Sequence, residues 1–279
     1  MSPLVIAPSA RSALFALALL SPGRAGADPA QAVTVEAGGL PIIIAAPHGG
    51  RLALPEIPAR RGAGVAQFTT ERDSNTAELA EMIAANLAAD LGAPPFLVVA
   101  RFERKFIDAN RAENAAFETT AAKAYYEAYH GALRAAAAAV KERWGGGLLL
   151  DIHGQGAAAD TIFRGTHNGR SVAALRQRFG AAAVIGPKSI LGHMAALGYR
   201  IEPAAGEERR YTGGYTTQTY GSHRGTAVDA IQLELGANLR RQANLERTAG
   251  DLARAIGIFA REYLPLANSS AARRPAAER

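Results

Sequence analysis

Cysteine is absent from all 279 residues. That excludes a thiol nucleophile, a thiolate-bound metal and any disulfide, and it leaves the redox compartment open. Aromatic residues are scarce, at 6%, with a single Trp. The Arg-Arg pairs at 60–61, 209–210, 240–241 and 273–274 have no aromatics interleaved with them. The formal charge of +6 therefore reads as weak attraction for small anions, with no nucleic-acid surface. Beyond the first 27 residues no apolar run is long enough to cross a bilayer. What remains, 48% hydrophobic and 20% charged residues, is the composition of a globular chain with enough length to bury a core.

The ends read differently from the middle. Arg11 precedes a short apolar stretch at 12–20, which Ser21-Pro22-Gly23 breaks before the small residues Ala25-Gly26-Ala27. A basic start, a short apolar middle and an A-x-A end form the order of a secretory signal peptide over 1–27, too short for a lasting span. It predicts a periplasmic or secreted chain with no stable membrane span after signal cleavage. The tail at 268–279, rich in Ala, Arg, Pro and Glu, is predicted to be disordered. Between them, residues 28–267 form one predicted domain.

Within that domain short apolar runs alternate with Ala-rich stretches, the pattern of an α/β fold whose mixed, largely parallel sheet is flanked by helices. Strands are predicted near 32–36, 41–46, 95–101, 147–153, 182–185, 199–202 and 228–235, and helices over 74–91, 116–143, 171–179, 188–197 and 243–263. Asp73-Ser74 offers N-cap chemistry to the first of these helices. Residues 203–225, rich in Gly, Thr and Tyr, read as a long functional loop.

Three apolar runs carry polar groups where folding alone would place Val or Leu. Pro41-Ile-Ile-Ile-Ala-Ala-Pro47 leads into His48-Gly49-Gly50, and Leu148-Leu-Leu-Asp151-Ile-His153 into Gly154. The third run, Ala230-Ile-Gln-Leu-Glu234-Leu235, holds a lone carboxylate. Two imidazoles and an acid delivered by separate strand ends suit a catalytic zinc site, which takes three protein ligands and leaves one position open. The third ligand is Asp73 or Glu71, both just before the first helix, with Asp73 favoured because it adjoins the helix start. Asp151 faces the same way as His153 on a strand and either orients an imidazole or caps a neighbouring loop. Glu234 is either a general base or part of the polar face of an edge strand, together with Gln232. Asp108-Ala-Asn110-Arg111 follows the basic run Arg101-Phe-Glu-Arg104-Lys105 and supplies bidentate and neutral donors for a carboxylate. Arg101 and Arg104 are alternative stabilisers of an oxyanion. Tyr215 and Gln218, in the Tyr211–Gly221 segment, offer donors to a substrate, and 165–169 is a weaker version of the same. His130, His193 and His223 read as surface or packing residues.

In their order along the chain these motifs resemble the N-formylglutamate amidohydrolase family. The likeness runs over Pro47-His-Gly-Gly50, Asp73-x-x-Thr76, Asp108-x-Asn-Arg111, Asp151-x-His-Gly154, Gly213-Gly-Tyr-Thr216 with Tyr220-Gly221, and Gln232-Leu-Glu234. It covers about residues 40 to 265 and extends to the related zinc carboxypeptidases. The resemblance implies a zinc-exopeptidase-like fold and a Zn2+ held by His48, His153 and Asp73 (or Glu71). It also implies that Asp108 partners a ligand histidine, that Asn110 and Arg111 hold the substrate's α-carboxylate, and that Glu234 serves as base and then acid. The expected substrate is a small anionic N-formyl or N-acyl amino acid, formylglutamate first. The alternatives are an exported metallo-carboxypeptidase or cell-wall peptide amidase and, in another class, a periplasmic solute-binding protein without chemistry.

Overall fold

The computed structural model describes residues 27–266; the expected leader, Ala27 apart, and the expected tail lie outside them. Among the described residues seven strands form one sheet in the order β1-β3-β2-β4-β7-β5-β6. These are β1 (Val33–Glu36), β2 (Ile42–Ala46), β3 (Phe96–Ala100), β4 (Gly147–Gln155), β5 (Thr161–Gly165), β6 (Arg200–Glu202) and β7 (Val228–Gly236). The pairs β3–β2, β2–β4, β4–β7 and β5–β6 are parallel, while β1 and β5 run antiparallel to β3 and β7. The central strands β2, β3 and β4 are buried on both faces, which is why they read as continuous apolar runs and not as alternating ones.

Helix α1 (Thr76–Leu91) returns the chain from β2 to β3, and α3 (Lys123–Trp144), after the short α2 (Glu113–Ala116), carries it back past β2 to β4. The two crossovers run in opposite directions, so one common handedness puts their helices on opposite faces. The core divides accordingly. Ile42, Ile44, Leu148 and Leu150 pack under α1 and the long C-terminal α8 (Gln242–Tyr263), with Leu79, Ile83, Leu87, Leu252, Ile256 and Phe259. Ile43, Val98, Leu149 and Ala230 pack under α3 with Tyr125, Tyr129 and Leu133. The reversal of direction falls between β2 and β4, and open α/β sheets bind ligands in the crevice beyond the strand ends at such a point.

Several local expectations are corrected. Residues 182–185 form no strand but the helical turn α5 (Ala182–Ile185), lying among α4 (Ala173–Phe179) and α6 (Ile190–Ala196). Its Ala183 and Val184 are buried in the helical layer, so apolarity there reflects packing on the sheet and not membership of it. β5 was not expected from the sequence. The 203–225 segment contains α7 (Tyr215–Tyr220). The predicted helix 116–143 starts later, at Lys123. Asp73-Ser74 does not cap α1: Asn75 precedes it in the left-handed region at φ 64° without a side-chain cap, because the Asp73 carboxylate is engaged elsewhere.

Candidate metal centre

His48, two residues past β2, His153 on β4 and Glu234 on β7 stand on three adjacent parallel strands. His153 and Glu234 are direct neighbours in the β4–β7 register. Strand β7 has partners on both sides, so Glu234 is no edge-strand residue. It shares the α3 face of the sheet with Ala230, and Asp151 and His153 share that face with Leu149 because side chains alternate.

Asp73 is brought in by the loop before α1, whose backbone N–H donates to the His48 carbonyl at 3.1 Å. Gly49 permits this approach, since a Cβ there would stand 2.3 Å from the Ala77 nitrogen. The outcome is a convergence on one atom. Asp73 Oδ2 lies 3.3 Å from His48 Nδ1 and 3.2 Å from His153 Nδ1, and it accepts the Gly154 N–H at 3.1 Å. The opposite ring nitrogens are each held by a second carboxylate: His48 Nε2 is 2.7 Å from Asp108, and His153 Nε2 is 3.0 Å from Asp151. All five residues are buried. The rings meet edge to face at 4.8 Å.

Electrostatics follow from that crowding. Burial opposes ionisation of Asp73, but the charge of His48 and hydrogen bonds from both histidines hold its carboxyl well below the usual range. Asp108 behaves likewise: His48, Arg104 and Arg60 outweigh the cost of burial and depress it strongly. His153 is pushed up, because Asp151, Asp73 and Glu234 overcome the burial that disfavours its charge. Glu234 goes the other way, up to about 7, driven first by burial and then by the charge of Asp73.

These residues fit a divalent cation. Two Nδ1 atoms and a carboxylate oxygen gather with all their ligand atoms within 4.8 Å of one another. Carboxylates fix the far nitrogens, the usual arrangement behind metal-bound histidines. A field of buried carboxylates that favours a proton on an imidazole also favours a metal ion in its place.

The other expected residues fall into two groups. Arg104 reaches the cluster, with Nε 3.0 Å from Asp108 Oδ2 and a second nitrogen 3.5 Å from Asp73. Arg111 stands 3.8 Å from Asp108 and donates to the Gln67 carbonyl. Asn110 is adjacent, but its amide braces the protein, within 3.4 Å of Gln232 and 3.0 Å of His153 while accepting the Thr216 N–H at 2.8 Å. Arg101 is engaged by Glu81 and Thr34 and makes no contact with the cluster residues among the described hydrogen bonds. Glu71 is exposed and outside the cluster. Gln218 is exposed. Tyr215 packs against His130 and lines a cavity of about 500 Å³ between α3 and α7 that contains none of the cluster residues. That cavity holds no donor set comparable with the carboxylate–histidine cluster. His130 is buried, as a packing residue. Loop 165–169 is braced from within by the buried Glu208, which accepts the Thr166 and Asn168 N–H groups.

Sequence reasoning missed Arg60, whose buried guanidinium lies 3.7 Å from Asp108, and Arg240, which lies against Gly154. Both belong to Arg-Arg pairs, and nothing in such a pair marks which member turns inward.

The family profile of N-formylglutamate amidohydrolase matches residues 117–239. No curated protein sequence matches the chain. Among solved structures, an N-formylglutamate amidohydrolase from Ralstonia eutropha JMP134 is similar at TM-score 0.59 and 16% identity, over 83% of this chain and 98% of that one. A gene product of Agrobacterium tumefaciens is similar at TM-score 0.55 and 14% identity, over 83% and 95%. At these identities the structures share the fold. Residues 117–239, which hold Asp151, His153 and Glu234, are similar to the N-formylglutamate amidohydrolase family, and this likeness supports a hydrolase acting on amides.

Proposed function

We propose that the chain is a zinc-dependent amidohydrolase that removes the formyl or acyl group from N-substituted acidic amino acids, N-formylglutamate foremost. The observation that carries this reading is the convergence of His48 Nδ1 and His153 Nδ1 on Asp73 Oδ2 with Glu234 beside them in the strand register. His48, His153 and Asp73 would hold the metal, whose Lewis acidity polarises a carbonyl and acidifies water.

The chain's own residues do the remainder. Asp108 and Asp151 fix the orientation of the two rings and leave both Nδ1 atoms facing inward. Glu234, poised near 7 by burial, takes a proton from the attacking water at its carboxylate and returns it to the leaving amine nitrogen. A base matched to neutral pH does this best. Gln232 donates to Glu234 Oε1 at 2.9 Å and steadies it. Arg104 and Arg111 supply positive charge for the free carboxylates of the substrate, Arg111 as the more exposed of the two. Cleavage after Ala27, which the leader supports, would place the reaction in the periplasm or outside the cell; a secreted chain beginning at Asp28 is the expected product.

Amine release from a panel of substrates tests the specificity. N-formylglutamate is expected to outrun N-formyl amino acids with uncharged side chains and all peptide amides. Turnover of peptides alone would transfer the chain to the cell-wall amidase or carboxypeptidase alternative.

A further inference from the structure

Arg240 is a buried cation that the chemistry above does not use. It ends a short 3-10 turn, Asn238–Arg240, directly after β7. Its guanidinium makes no carboxylate hydrogen bond among the described residues and donates to three backbone carbonyls. Nε reaches Leu235 at 3.0 Å, one terminal nitrogen reaches Gln155 at 3.4 Å, and the other reaches Ser74.

The identity of those three carbonyls is informative. Leu235 follows Glu234, Ser74 follows Asp73, and Gln155 lies two residues beyond His153. One planar group therefore bridges the three segments that deliver the base, the acidic ligand and a histidine ligand. No backbone–backbone ladder joins the loop before α1 to β4 or β7. β4 and β7 are already paired to each other, so beside the Asp73 carboxylate on the Gly154 N–H the side-chain fork is what ties this loop to the pair.

Two features keep the fork in place. A Cβ on Gly154 would stand 2.3 Å from the Arg240 guanidinium carbon, so this strand position has to be glycine for the group to lie flat beneath it. From the other side Asn75, held at φ 64°, donates its amide to the Arg240 carbonyl at 2.7 Å. Burial works against the charge on Arg240, while Asp73 and Glu234 favour it, so the cation also balances the carboxylates of the cluster.

We propose that Arg240 is a positioning residue of this site, its guanidinium clamping the loop that carries Asp73 onto the paired strands of His153 and Glu234 through main-chain carbonyls of all three segments. The inference deepens the metal-site reading and rests on it for its consequence, though the clamp itself can be measured without metal. Lysine cannot replace it, since an ammonium on a flexible stem does not offer a rigid fork in three directions.

Hydrogen exchange of the chelator-treated protein provides the test. The Gly154 N–H, bonded to Asp73, and the Asp73 N–H, bonded to His48, report directly on the clamped segments. In Arg240→Met both should exchange at least about tenfold faster, while α1 and α8 core amides stay unchanged, as expected for local opening. Arg240→Lys should behave like Arg240→Met. Gly154→Ala, which keeps the charge but displaces the group, should do the same and stands in if Arg240→Met does not fold. After loading with cobalt(II), the visible spectrum of these variants should differ from that of the wild type, and affinity should fall on the order of 10–100-fold. Unchanged exchange at Gly154 and Asp73 in a folded Arg240→Met or Gly154→Ala protein, or full rescue by lysine, would overturn the proposal. A wild-type protein that takes up no cobalt would instead refute the metal reading, with the exchange data still deciding the clamp.

Discussion

Glu234 and the two carboxylates behind the histidines give the sharpest expectations for single residues. Glu234→Gln keeps the shape and a hydrogen bond but removes the base, so turnover should drop by about 10²–10⁴-fold while the metal stays bound. Stopped assays with parallel metal analysis check this, and wild-type turnover would remove Glu234 from the mechanism. Asp108→Asn and Asp151→Asn retain the volume of the groups that hold His48 Nε2 and His153 Nε2. Each should weaken metal affinity on the order of 10–100-fold, since partners of this kind tune ligand basicity and orientation. Competition against a chromophoric chelator measures it. Glu234 and Asp151 were legible in the chain because an acid in an apolar strand is costly unless used or paired, whereas Asp108, outside any strand, was legible only through the Asp-x-Asn-Arg resemblance. Arg240 and Arg60 were not, since a surface Arg and a buried one look alike until the fold decides which carbonyls surround them.

At the level of elements, α3 and α7 meet at His130. Its Nε2 donates to the Ala109 carbonyl at 2.9 Å and its Nδ1 faces the Tyr220 hydroxyl at 2.9 Å, with Tyr126 and Tyr215 against the ring. Burial first, with Arg134 adding to it, lowers its pKa from 6.5 to about 4. The neutral form is thus the folded form. As pH falls below 6.5 the unfolded chain gains a proton that the folded chain does not, and stability declines until the folded pKa near 4 is reached. The full shift corresponds to roughly 3 kcal/mol. Urea unfolding of the wild type and His130→Gln at pH 7.5 and 4.5 isolates this contribution, because other titrating groups are common to both proteins. The wild type should lose more stability than the variant on acidification; equal losses would mean that His130 is not buried neutral. Elements also show where sequence reading ends. Continuous apolar runs located the central strands β2, β3, β4 and β7, whose burial on both faces writes itself into composition. The run at 182–185 is as apolar but packs on the sheet as a helical turn, a distinction made by tertiary neighbours and not by the four residues. Asp73-Ser74 carries cap chemistry, yet the carboxylate goes to two histidines, a partner 25 residues away in the chain and another 80 away.

For the whole molecule, opposite crossovers around β2 open a crevice between β2 and β4, and the chain places a histidine on each lip with an acid between them. Topology chooses the place and a few buried polar residues choose the chemistry, which is why the fold shared with distant structures at 14–16% identity does not by itself fix a substrate. The order of motifs along the sequence made the resemblance to a family legible, but not the convergence of two Nδ1 atoms on one oxygen, because residues 48, 73 and 153 meet only in three dimensions. The central claim is that this oxygen and those nitrogens hold one catalytic metal. Calorimetric titration of zinc into chelator-stripped protein tests it most directly. One zinc per wild-type chain is expected, with binding at that site lost in folded His48→Ala and His153→Ala proteins and preserved in Glu234→Gln. Zinc uptake by either histidine variant at wild-type stoichiometry and affinity would contradict it.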